Sequence, residues 1–98
     1  MAYTEGSCQS KKMTTTGAVT TIPGRVYGMV VQYGTAAQAG CTLADASGGT
    51  DKLALTHGAL QTALDTTESV ILAVPILFSK SIYATITGTG TVAYVLYR

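Results

Sequence analysis

Tryptophan and asparagine are absent from the sequence, and histidine (His57) and phenylalanine (Phe78) each occur once. Charge is sparse: Asp, Glu, Lys and Arg make up 11% of the 98 residues, under half the ~25% of an average domain. Each shortage excludes something. The basic residues Lys11, Lys12, Arg25, Lys52, Lys80 and Arg98 are scattered and the net charge is +1. Nucleic-acid binding needs a basic stripe that displaces many counterions, so none is expected. General acid–base or nucleophilic catalysis needs a base, a nucleophile and orienting partners. His57 stands before Gly58, where it is expected to cap a segment or to be exposed, and nothing local pairs it with Cys8 or Cys41. The acids are Glu5, Asp45, Asp51, Asp65 and Glu68; Asp65 and Glu68 share one loop, where capping or solvated roles are the default. Cys8 and Cys41 fit no zinc spacing. No catalytic residue, cofactor or metal is therefore expected.

Long hydrophobic runs are missing too. The longest, Val70 to Phe78, contains Pro75 and falls far short of the ~20 residues of a spanning helix, so no membrane partner is expected. Residues Met1 to Gly6 have neither a charged n-region nor an apolar h-region, so no signal peptide is expected either. Synthesis in a cytoplasm implies reduced thiols at Cys8 and Cys41, with a bridge as the lesser alternative.

What is present is apolar and β-prone. Apolar residues make up 47% of the chain, and a chain of 10.1 kDa forms one domain. Size scaling leaves about 5,300 Å² exposed of about 14,600 Å² in the unfolded chain. That is one modest core with little room for a deep cleft. With so few charges, Thr, Ser, Gly and Ala must cover the surface, which suits contact with other proteins.

Residues 1–13 show no period of 2 or 3.6 and read as an irregular N-terminal arm. Residues 14–98 read as the sandwich. Thr14–Thr21 is β-branched and ends at the turn Pro23-Gly24. Arg25–Tyr33 is apolar in both alternating sets, which predicts a central strand covered on both faces, with a bulge or close approach at Gly28. Cys41–Ala44 and Leu53–Thr56 flank Asp45-Ala46-Ser47-Gly48-Gly49-Thr50-Asp51, a hairpin turn. Its alternating oxygens resemble a calcium loop, but Thr50 replaces the loop glycine and Thr56 the bidentate Glu. Leu60 and Leu64 suit a helical turn or two near 59–64. Val70–Val74 predicts a buried inner strand ended by Pro75, with Ile76–Phe78 as a loop plug or short edge segment. Ser81–Thr87 and Thr91–Tyr97 predict a final hairpin about Gly88-Thr89-Gly90, which does not open a helix and so cradles no phosphate. Six to eight short strands at such spacing predict an all-β fold: a small antiparallel β-sandwich or jelly-roll-like barrel.

Six tyrosines (Tyr3, Tyr27, Tyr33, Tyr83, Tyr94 and Tyr97) are the conspicuous side chains. They suit amphipathic strand positions, and among so few charges at least one is expected in a subunit contact. Tyr3, Lys11, Lys12, Met13 and Tyr97 are the candidate interface residues.

Three segments then look familiar. Arg25-Val26-Tyr27-Gly28, Ala39 to Asp45 with Gly48-Gly49-Thr50, and Ile82 to Val92 resemble small β-sandwich virion proteins of tailed bacteriophages. The likeness covers Arg25 to Arg98 and lies in strands and turns, not in a catalytic signature. It implies a virion protein made in the host cytoplasm. The type implied is a capsid decoration (cement) protein that binds the major capsid protein, or another virion protein, and its own copies as a homotrimer. A tail, fibre or lectin-like receptor-binding module is the alternative; the lack of Trp and Asn disfavours a sugar-binding face.

Overall fold

The computed structural model describes residues 8–34, 38–57 and 66–98. The stretch 59–64, where helical turns are expected, lies outside them. Among the described residues there are eight strands and no helix: β1 (Gln9–Met13), β2 (Gly17–Thr20), β3 (Gly24–Tyr33), β4 (Ala39–Asp45), β5 (Asp51–His57), β6 (Thr66–Phe78), β7 (Ile82–Thr87) and β8 (Val92–Tyr97). They form two antiparallel four-stranded sheets, β1-β8-β3-β6 and β2-β7-β4-β5. The fold is a sandwich of two open sheets, not a closed barrel.

Alternation builds the core between them. In β8, Ala93 and Val95 are fully buried while Tyr94 between them is exposed. In β7, Ile82 and Ala84 point the same way. Met29, Val31 and Tyr33 from β3, Cys41 and Leu43 from β4, and Phe78 from the end of β6 fill the space between. β4 and β5 form the expected hairpin, Ala39↔His57 to Ala44↔Asp51. Its turn closes with Asp45 N–H on the Thr50 carbonyl (3.0 Å) and Gly49 N–H on that of Ala46 (3.0 Å). Positive φ falls at Gly48 (75°) and at Ala46 (74°), so glycine supplies only half of the left-handed backbone here.

Four expectations need correction. Ser81–Thr87 and Thr91–Tyr97 do form strands, but they do not pair with each other. β7 pairs with β2 and β4, and β8 with β1 and β3. Gly88 (φ 96°) and Gly90 (φ 82°) turn the chain from one sheet to the other. Buried Thr91 anchors this arch: its N–H donates to the Gly88 carbonyl (3.2 Å) and its Oγ1 accepts from Gly34 N–H (3.1 Å). An alternating pattern tells which side chains face inward, not which strand lies alongside.

The N-terminal arm is not irregular over its second half. Gln9–Met13 pairs along the whole of β8, from Gln9↔Tyr97 to Met13↔Ala93. Edge pairing is satisfied by backbone groups alone, so a polar segment with one apolar side chain can join a sheet. β3 is central, as expected, and bulges at Gly28, where a Cβ would meet the Val70 carbonyl oxygen at 2.5 Å. Its outer face is only partly covered, however: Gly28 is buried and Val30 half-buried, but Arg25 and Gln32 at the ends are exposed.

The fourth correction concerns the most apolar segment. β6 is an edge strand, paired on one side with β3. Val70 and Leu72 pack partly against the core, but Ile71 is 69% and Val74 76% exposed. Pro75 does not end the ladder. Pairing breaks after Gly28↔Ile71 and resumes at Val26↔Ile76, leaving residues 72–75 opposite Tyr27 alone. A proline, lacking an N–H, is tolerated at such a bulge on an edge. Ile76–Phe78 continues this edge strand, and Phe78 plugs the core.

Candidate interaction surface

Directly paired residues of neighbouring strands share a sheet face. The register therefore gives the face of β1-β8-β3-β6 that points away from the second sheet. Lys12, Tyr94, Val30 and Ser69 form one row across it, and Ser10, Leu96, Gly28 and Ile71 the next. Val92, Gln32 and Thr67 form a third. The centre of this face is apolar, and Lys12 is its one charge in these rows. Leu77, 58% exposed, and Val74 extend the apolar surface along β6, with exposed Arg25 opposite Leu77 on the same face.

The rows of the opposite, core-facing side end in polar rims. Lys11 stands opposite Val95 on the outermost strand and is exposed. Glu68 stands opposite Val31 at the other edge. There its Oε1 accepts the hydroxyl proton of buried Tyr33 at 2.6 Å. Burial first, then this carboxylate, pushes the Tyr33 phenol far above its ordinary range, so it stays a neutral donor.

The candidate interface residues are thus split. Lys11 and Lys12 are exposed on opposite faces of β1. Met13 faces the core and is buried. Tyr97 is half-buried against the core, with its hydroxyl 3.4 Å from Gln9 Oε1. Tyr3 lies outside the described residues. Ile71, Val74 and Leu77 on β6, with Tyr94 and, apart from them, Ile22, are the exposed large apolar side chains instead. Apolarity alone could not mark them as surface, because core and contact surfaces share it.

Asp45 illustrates a role with no local signal. Its Oδ2 accepts from Ser79 Oγ (2.7 Å) and Ser79 N–H (3.1 Å), and its Oδ1 from Lys80 N–H (2.8 Å) and Ser81 N–H (3.3 Å). The carboxylate clamps the turn between β6 and β7, 34 residues away. The Ser79 hydroxyl, helped by the backbone donors, lowers its pKa to about 2. A depressed folded-state value makes the clamp fully stabilising above pH ~4, the ordinary carboxyl value, and removes that stabilisation as pH falls through about 2. Asp45→Asn should lower the melting temperature at neutral pH and flatten the drop between pH 4 and pH 2. A variant that melts like the wild type at both ends of that range would show that the clamp contributes nothing.

Cys8 and Cys41 are both free. Burial pushes the Cys41 thiol up to about 12, so it packs as a small apolar group. Among the described residues no three His, Cys, Asp or Glu side chains come together. Comparison with family models, curated proteins and solved structures yields no match.

Proposed function

We propose that this chain is a bacteriophage virion structural protein, a capsid decoration protein that binds the outside of an assembled shell and works by contact. The observation that carries the reading is the outer face of β1-β8-β3-β6, with Tyr94 at its centre, Ile71, Val74 and Leu77 exposed at its edge, and only Lys12 and Arg25 as charges. Exposed apolar surface of this kind marks a protein contact, and an exposed tyrosine is a frequent anchor in one. The strand-and-turn likeness of Arg25–Arg98 to phage sandwich proteins supplies the setting. Many copies on a lattice make a modest affinity per copy sufficient.

The test uses shells assembled without this chain in the phage that encodes it. Purified protein should co-sediment with them to saturation and raise their melting temperature. Tyr94→Lys should weaken that binding by roughly tenfold or more while leaving the protein folded. Sedimentation no greater than that of an unrelated sandwich domain of similar size would defeat the proposal.

A further inference from the structure

We infer that the free edge of β6 is a self-association site, where two copies of this chain pair antiparallel about a two-fold axis through Val74. Sheet edges of monomeric proteins are guarded by charge, by shortness, by proline or by a bulge. Among the described residues, three of the four edge strands are guarded by charge or by shortness. β1 carries Lys11 and Lys12, β5 begins with Asp51 and Lys52, and β2 has four residues. β6 has 13 residues and no charged side chain from 69 to 79. Its guards are Pro75 and the bulge at residues 72–75, and they leave apolar side chains in solvent: Val74 is 76% exposed.

The occupant follows from the order of the side chains. Ile71, Val74 and Leu77, all exposed, are evenly spaced and centred on Val74. Antiparallel pairing of identical strands is itself a two-fold operation, so the contact is self-complementary. With Val74 opposite Val74, Ile71 of each copy meets Leu77 of the other. The faces agree: Ile71 lies opposite Gly28, and Leu77 lies between core-facing Ile76 and Phe78, so both point outward. Pro75 falls opposite Ala73, one residue from the axis. Antiparallel ladders use alternate residues for bonding, so one missing N–H is accommodated. The product is an eight-stranded sheet that joins the exposed apolar side chains of the two β6 strands on one outer face. Its symmetry is that of a dimer, not of the homotrimer implied by resemblance. It concerns the chain in solution and does not depend on shell binding.

The experiment follows mass across a dilution series by sedimentation. Wild-type protein should show a monomer–dimer equilibrium. Val74→Lys sets like charges face to face on the axis and should weaken dimerisation by roughly tenfold or more. Ile71→Lys and Leu77→Glu should each do the same. Mixing those two variants should restore a mixed dimer, because the lysine introduced in one copy then meets the glutamate introduced in the other. In a Cys8→Ser background, Val74→Cys should oxidise to a dimer joined through residue 74, since opposed strand residues sit about 4.5–5.5 Å apart, within disulfide reach. All the altered side chains are exposed or half-buried, and circular dichroism checks that each variant is folded. A wild type monomeric at every concentration overturns the inference. So does a dimer indifferent to Val74→Lys, or the absence of heterodimer on mixing.

Discussion

Phe78→Ala is expected to lower the free energy of unfolding by about 3–5 kcal/mol. Phe78 is the single phenylalanine of the chain and is fully buried. It ends β6 opposite Gly24 and lies among core residues contributed by both sheets. Lys52 of β5 sets its Nζ 5.9 Å from the ring centre, so the ring also ties the second sheet to the first. Alanine would leave a cavity between two sheets whose backbones are held by their own ladders and cannot collapse into it. A domain of this size is stable by about 5–15 kcal/mol in all, so the variant should be marginal at room temperature. Urea denaturation followed by circular dichroism measures the difference. A loss below about 1 kcal/mol, the scale of an ordinary substitution, would mean that the two sheets do not meet around this ring.

Deletion of residues 1–12 is expected to destabilise the fold itself, by about 2–5 kcal/mol, from a few ladder bonds worth about 0.5–1.5 kcal/mol each. A purely external arm could be removed without loss of stability. Gln9–Lys12, however, covers the edge of β8 from Tyr97 to Tyr94. Without it, an apolar strand of the first sheet becomes a bare edge, and Met13 loses the chain that leads into its buried position. The truncated protein should therefore unfold at lower urea and aggregate more readily. If its denaturation midpoint equals that of the full chain, pairing of β1 with β8 makes no contribution in solution.

Phe78 and β1 mark the boundary of what is legible in the sequence. Phe78 and its run announce themselves by apolarity, and the strand positions Ile82–Thr87 and Val92–Tyr97 by alternation. The turn at Gly48-Gly49 is equally plain. Side-chain period two is a local property of a strand, so inner and outer sides can be read residue by residue. β1 is not legible, because Gln9-Ser10-Lys11-Lys12 has no apolar set to alternate. Its place depends on the free edge of β8, contributed by the far end of the chain. The candidate surface is hidden for a related reason: Ile71, Val74 and Leu77 have the composition of a core, and only their position on an outermost strand exposes them.

The sequence alone determined the all-β class, most strand positions, the β4–β5 hairpin and which residues could be buried, since all of these follow from backbone sterics and local pattern. The tertiary structure decided which strands are neighbours. The Gly88–Gly90 turn became an arch between sheets instead of a hairpin, and β6 became an edge instead of a centre. Asp45 became the clamp of a turn far along the chain. Pairing across long separations depends on which free edges meet and how two inner faces fill one space, and no local run of residues encodes that.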